Sequence, residues 1–244
     1  MPEATTPRAP ADPAEQIEAL VERYGLAAEA TGRLERFHRL LVEDPLAPTA
    51  LRDSQRVIDD HLADALVALD LEPVRTARAV ADLGSGPGVP GLPLAIALPD
   101  ATVTLVESAV RKYAFLNRAI AACGVDNVRA VHTRVEAWAE GRESCDLVTA
   151  RALASLEVVA EYAAPLLVLG GALVAWRGGR DPDAEAAAAR AAAELGLEPV
   201  EVVAVRPYRG AQRRHLHLMS KVTQTPRGFP RRPGTALKRP LGRP

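Results

Sequence analysis

Along the first third of the chain, apolar residues recur every three or four positions. Ile17, Leu20, Val21 and Tyr24 share one helical face, and Leu34, Phe37, Leu40 and Leu41 share another. A third face runs through Val57, Ile58, His61, Leu62, Leu66 and Leu69, after an interruption by Pro45 and Pro48. The spacing predicts an all-helical N-terminal cap over residues 14–75. Residues 1–13, rich in proline and alanine, are expected to be disordered. Beyond residue 75 the pattern changes to short apolar runs alternating with amphipathic stretches. Strands are predicted at 79–83, 102–106, 128–131, 146–150 and 172–175, and helices at 92–98, 111–123, around 156–164, and 184–195. The final two strands, 200–205 and 215–221, leave no room for a crossover helix and should pair antiparallel. Alternation of this kind predicts an α/β fold: a doubly wound sheet with helices on both faces, six strands of one sense and a reversed edge strand.

Composition changes this picture in one respect. The 244 residues are 48% hydrophobic and carry a net charge of −1, which by itself argues against a polyanion partner. That figure is the sum of two opposite parts. Residues 224–244 hold six basic side chains and no acid, leaving 24 basic against 31 acidic, a balance of −7, in residues 1–223. Cys123 and Cys145 form neither a disulfide framework nor a CxxC site, and the five histidines lack metal-ligand spacing, so no metal is expected. The N-terminus has no apolar signal core, and the apolar uncharged run Ala163 to Trp176 is too short to span a bilayer. A soluble, cytoplasmic, monomeric protein without a membrane partner is expected.

Candidate chemistry begins at the turn after the first strand, Asp82-Leu83-Gly84-Ser85-Gly86-Pro87-Gly88-Val89-Pro90-Gly91. Gly86, Gly88 and Gly91 satisfy the dinucleotide pattern GxGxxG, but the glycine at the strand end is Gly84, which puts that pattern out of register. Pro87 and Pro90 also remove N–H groups that a pyrophosphate would use. S-adenosylmethionine (AdoMet) has no phosphate and suits the loop better: Asp82 can attract its cationic end, and the glycines let the backbone approach. Glu107, ending the second strand, can accept from both ribose hydroxyls of either AdoMet or NAD. A Rossmann-like, seven-stranded AdoMet-dependent methyltransferase domain over residues 76–223 is therefore expected, with NAD binding as the alternative.

The stretch from Asp82 to Pro93 (DLGSGPGVPGLP) resembles the cofactor loop of the RsmG (GidB) family, bacterial 16S rRNA guanine-N7 methyltransferases. Leu105 to Lys112, Arg134-Val135-Glu136, Ala150-Arg151-Ala152, Arg214-His215-Leu216 and the proline-arginine tail agree in order, from about residue 34 onward. The resemblance implies cofactor contacts at Gly84, Val89, Glu107, Ser108, Ala109, Val135, Glu136 and Arg151, beside Asp82, Gly86 and Gly88 of the loop. Two segments depart from the family pattern. Its usual Asn-Leu-Thr-Ala reads Ala47-Pro48-Thr49-Ala50 here, and its Lys-His-x-x-Asp-Ser reads Asp60-His61-Leu62-Ala63-Asp64-Ala65.

Exocyclic-amine transfer is disfavoured because Asp146 to Arg151 has no Pro-Pro-aromatic element, and neither cysteine is placed as the nucleophile that carbon-5 transfer needs. Guanine N7 carries a lone pair and no proton. Its methylation by in-line displacement needs placement at about 3–3.5 Å rather than a general base, so no proton-transfer residue is expected. Arg151 stands where ligands bind in open α/β sheets and could reach either cofactor or guanine. His61, Arg213, Arg214 and the tail residues Arg227, Arg231 and Arg232 are the candidate contacts to substrate RNA. The tail, residues 224–244, lacks apolar periodicity and is expected to be disordered by itself. The resemblance implies N7-methylguanine formation in a decoding-region hairpin loop of small-subunit 16S rRNA. The rival readings are an NAD-dependent oxidoreductase and a noncatalytic rRNA-binding or assembly factor.

Overall fold

The computed structural model describes residues 12–199 and 201–242. The N-terminal segment is helical. Asp12 caps α1 (Pro13–Arg23) by accepting the Ala14 N–H at 3.0 Å, so Pro13 opens a helix rather than closing a disordered arm. Most of the segment expected to be disordered, residues 1–11, lies outside the described residues. Next comes α2 (Glu29–Glu43), then a rod of changing pitch: α3 (Ser54–Val57), a π-helical stretch Ile58–Ala63, α4 (Asp64–Leu66) and a 3-10 turn Val67–Asp70. A short α5 (Glu72–Arg75) leads to the sheet. The π stretch re-aims the side chains that follow it, and such insertions favour functional sites.

Strands β1 (Ala79–Leu83), β2 (Thr102–Glu107), β3 (Val128–His132), β4 (Cys145–Arg151), β5 (Leu167–Arg177), β6 (Glu201–Ala204) and β7 (His215–Ser220) form one sheet in the order β3-β2-β1-β4-β5-β7-β6. The first five pair in parallel. Strand β7 runs antiparallel to both β5 and β6. The reversed strand is thus inserted between β5 and β6, which corrects its expected place at the edge; the 201–220 hairpin folds back so that its second strand reaches β5 first.

Alternation along each strand decides which face a residue serves. Val80, Leu105, Leu147 and Val174 join α1 to α4, α6 (Gly91–Ala97) and α7 (Val110–Cys123) in one core. Their neighbours Ala81, Val106, Val148 and Ala175 join α8 (Leu156–Ala163) and α9 (Pro182–Leu195) in the other. Between β3 and β4 the chain makes only two 3-10 turns, Val135–Ala137 and Ala139–Gly141. The C-terminal segment completes that side: Ala236 of α10 (Thr235–Lys238), Phe229 and Leu241 share the second core with Trp138 and Tyr162. The tail is therefore ordered through residue 242, against the expectation of disorder. A few apolar anchors spaced without helical period hold it.

Candidate active site

The glycine loop crosses the C-terminal ends of β1 and β2, and its hydrogen bonds all turn inward. The N–H groups of Gly84 and Ser85 donate to the Val106 carbonyl at 2.8 and 3.2 Å. That of Gly86 donates to Glu107 Oε2 at 3.1 Å, those of Gly88 and Val89 to the Ser85 carbonyl, and that of Gly91 to Asp82 Oδ2 at 3.3 Å. Pro87 and Pro90 have none to give. An anionic pyrophosphate would find no donor here without breaking one of these bonds.

Asp82 is fully buried and also accepts from the Thr149 hydroxyl at 2.9 Å. Burial pushes its carboxyl up to about 6, against hydrogen bonds from Thr149, Ser85 and Gly91 that lower it. Asp82, expected to attract the cofactor's cationic end, here braces the loop from below. Val89, also expected to contact the cofactor, is buried in the first core. Two glycines are required for steric reasons. A Cβ at Gly91 would lie 2.8 Å from Asp82 Oδ2, and one at Gly84 (φ 65°) would lie 2.6 Å from Leu153 Cδ1.

Beside the loop lies a cleft of about 180 Å³ lined by Gly84, Val106, Ser108, Val135, Glu136 and Tyr162, among others. It gathers residues expected to contact the cofactor from three strand ends. Glu107, between the lining residues Val106 and Ser108, is 5% exposed, with Oε1 accepting the Ala109 N–H at 2.8 Å and Oε2 that of Gly86. Each oxygen keeps a lone pair for a further donor. Glu136 Oε1 accepts from the Gly234 N–H at 2.9 Å, the Tyr162 hydroxyl at 3.3 Å and Arg134 Nη2 at 3.4 Å. Burial would raise the Glu136 carboxyl, but the Gly234 N–H and Arg134 hold it below the usual carboxylate range.

A second cavity, about 280 Å³, opens over the ends of β4, β5 and β7. Asp64, Arg151, Trp176 and Arg214 line it, with Ala152 at its boundary. Ala152 adopts a left-handed φ of 52°, and the following Leu153 and Ala154 line the first cleft, so the β4–α8 turn is the wall between the two. Arg151 faces this second cavity. Its Nη2 donates to His61 Nδ1 at 3.2 Å, and its Nη1 lies 3.1 Å from Asp64 Oδ2 without hydrogen-bond alignment. Arg214 donates to Asp60 Oδ1 at 2.7 Å and lies 3.6 Å from Asp64 Oδ1. Burial raises the Asp64 carboxyl more than Arg151 and Arg214 lower it.

His61 does not face the cavity as expected for an RNA contact. Its Nδ1 lies 3.2 Å from both Arg151 Nη2 and the Asp60 carbonyl oxygen, its Nε2 pairs with Thr49 Oγ1 at 3.0 Å, and burial together with Arg151 pushes it down to about 4. It is a neutral brace for Arg151. Of the arginines expected on RNA, Arg213, Arg227 and Arg232 are exposed. Arg231 is not free: it is paired with the buried Glu161 at 2.5 Å. Asp64, Tyr162, Leu153, Trp176 and Leu237 complete the two linings, and Asp60 holds Arg214 beside the second; none was among the predicted site residues. Asp60 and Asp64 had a local signal, since both lie in the segment around His61. Among the described residues no group of three His, Cys, Asp or Glu side chains is placed to hold a metal ion.

A family profile described as rRNA small subunit methyltransferase G matches residues 34–216. The chain belongs to that family. Curated relatives carry the name Ribosomal RNA small subunit methyltransferase G. One from Chloroflexus aggregans is 44% identical over 79% of this chain and 82% of its own length. Another from Rubrobacter xylanophilus is 43% identical over 78% and 75%. One from Geobacillus thermodenitrificans, 31% identical, spans 93% of this chain and 99% of its own. Among solved structures, a SAM-dependent O-methyltransferase from Thermotoga maritima superposes with a TM-score of 0.53 at 14% identity, covering 67% of this chain and 66% of that one. That likeness shows the methyltransferase fold. Asp60 is the acceptor that anchors Arg214 and the Tyr208 hydroxyl.

Proposed function

We propose that this chain transfers a methyl group from AdoMet to N7 of a guanine in 16S rRNA, in a hairpin loop of the decoding region. The observation that carries the reading is the pair of cavities separated by the single turn 152–154 at the C-terminal edge of the sheet. One has the family's cofactor residues, and the other has room for a purine base.

AdoMet, when bound, supplies an electrophilic methyl group on a positively charged sulfur. Glu107 would receive its ribose hydroxyls, and Val135, Leu153 and Tyr162 would enclose its base. The inward-turned loop supports this choice over NAD, whose pyrophosphate needs the N–H groups that Glu107, Asp82 and Ser85 already hold.

In the second cavity, Arg151 and Arg214 offer donors to guanine O6 or a phosphate. Asp64 offers an acceptor to the Watson–Crick edge, and its negative charge suits a ring that becomes cationic on methylation. Trp176 forms a flat wall, fixed by its indole N–H donating to the Asp64 carbonyl at 2.6 Å. Cys123 is buried with its thiol pushed up to about 12, which fits chemistry without a covalent nucleophile. The residues named here orient and desolvate; none must move a proton.

The test is to incubate the protein with labelled AdoMet and small subunits lacking the modification, then map label and mass in the RNA. N7-methylguanosine at one hairpin position is expected. Label on another atom would overturn the N7 assignment. AdoMet binding with no labelled RNA would favour an assembly factor, and NAD binding without AdoMet binding would favour an oxidoreductase.

A further inference from the structure

The cleft assigned to AdoMet has one wall from outside the methyltransferase strands and loops. Leu237, on α10 of the C-terminal segment, lines it together with Gly84 of the glycine loop. It is 54% exposed, a large apolar side chain left at the mouth of a cleft whose other walls include Val135, Leu153 and Tyr162. A ligand seated in the cleft against Val135, Leu153 and Tyr162 would also cover this side chain.

The segment bearing Leu237 is fixed at several points. Gly234 donates its N–H to Glu136, itself in the cleft wall. Arg231 makes three side-chain hydrogen bonds to Glu161. Arg142 donates to the Phe229 carbonyl at 3.1 Å, and Arg190 to the Gly242 carbonyl at 2.6 Å. A Cβ at Gly242 would lie 2.0 Å from the Ala187 carbonyl oxygen, so the far end lies directly against α9. Ala236, next to Leu237, is buried.

We propose that Leu237 is a cofactor-binding residue, and that the C-terminal segment completes the pocket for the nucleoside end of AdoMet while Glu136 serves to hold that segment in place. The inference rests on the assignment of this cleft to AdoMet. It also joins two functions in one element. Arg227, Arg232, Lys238 and Arg239 are exposed on the same segment, so the residues available to RNA phosphates flank the residue that touches the cofactor. By linkage, whatever RNA does to the position of α10 is felt in cofactor affinity, and the reverse.

The test is calorimetric titration of AdoMet and, separately, adenosine into the full-length protein and its Leu237→Ala variant. Leu169→Ala, which removes another exposed leucine, 59% exposed and away from both cavities, serves as the control. Leu237→Ala is expected to weaken both ligands about tenfold, the scale of a partly buried leucine contact, with the control unchanged. Wild-type affinity for both ligands in Leu237→Ala overturns the proposal alone. Weakened AdoMet with unchanged adenosine overturns the placement at the nucleoside end. A wild-type chain that binds neither ligand overturns the cleft assignment, and the proposal with it.

Discussion

Replacing Arg231 by alanine separates two accounts of the basic C-terminal segment. As a phosphate ligand, Arg231 would matter to RNA and not to folding. In the structure its guanidinium donates Nε to Glu161 Oε1 at 2.9 Å and Oε2 at 3.1 Å, and Nη2 to Oε2 at 2.5 Å. The Glu161 side chain is 1% exposed and that of Arg231 25%. Removing the guanidinium leaves the buried carboxylate only the backbone N–H of residue 231, at 3.0 Å. Breaking a buried pair from one side costs about 3–5 kcal/mol. The retained N–H and the arginine's partial exposure place this case near the lower end, about 3 kcal/mol. There is a ceiling, because the segment can lift away and let water reach Glu161; the loss then stops at the free energy of docking. For a chain of this size roughly 2–4 °C accompanies each kcal/mol, so the melting temperature should fall by about 6–12 °C, or by less with early proteolysis within residues 222–242. A double-mutant cycle with Glu161→Gln isolates the coupling. If Arg231→Ala melts with the wild type, keeps its protease resistance and loses only RNA affinity, the buried pair does not form in solution.

Other consequences can be measured independently. Arg227→Ala with Arg232→Ala should lower the slope of log affinity against log salt by about 1.4 for single-stranded RNA while leaving AdoMet affinity unchanged, since both side chains are exposed; an unaltered slope excludes them from the phosphate contacts. Gly84→Ala should cut AdoMet affinity about tenfold or more, because the residue holds φ 65° and its Cβ would push Leu153 into the cleft; calorimetry showing wild-type affinity would refute the steric argument. The raised Asp82 carboxyl favours the protonated folded state, so its contribution to stability is complete below pH 4 and is lost as pH rises through about 6. That loss is roughly 3 kcal/mol, and Asp82→Asn should flatten the corresponding slope in urea midpoints between pH 4 and 7. His61, held down to about 4, favours the neutral folded state, so its contribution is complete above pH 6.5 and is lost as pH falls toward 4. Its ring proton resonances should stay flat from pH 8 to pH 5; a midpoint near 6.5 would mean that the brace on Arg151 is absent.

How much could be read from the chain depended on whether the determining interaction was local. Helical periodicity located the N-terminal helices, and β/α alternation located the strands, because each reports a face that must be buried. The glycine loop was legible for the same reason: Gly84 at the strand end needs a left-handed backbone, which few other residues adopt. The direction in which Asp82 points was not legible. An acid at a strand end can face the ligand or the underside of the loop, and only the Thr149 hydroxyl and the Gly91 N–H settle it. Nor was the place of the reversed strand, since β6 and β7 pair in the same way whichever of them lies next to β5.

The sequence by itself therefore determined the α/β fold, the cofactor loop and the family pattern, all written in residues close along the chain. Tertiary structure decided the partnerships across it. Arg151 meets His61 and Asp64 some ninety residues away, Arg214 meets Asp60, and Arg231 meets Glu161. Of the tail cations that hid inside a near-zero net charge, five lie among the described residues: Arg231 is an anchor, and Arg227, Arg232, Lys238 and Arg239 are exposed. Charge counts along a chain add without regard to position, whereas a carboxylate that is buried must find its cation nearby. That requirement fixes the segment whose Leu237 lines the cleft beside the glycine loop.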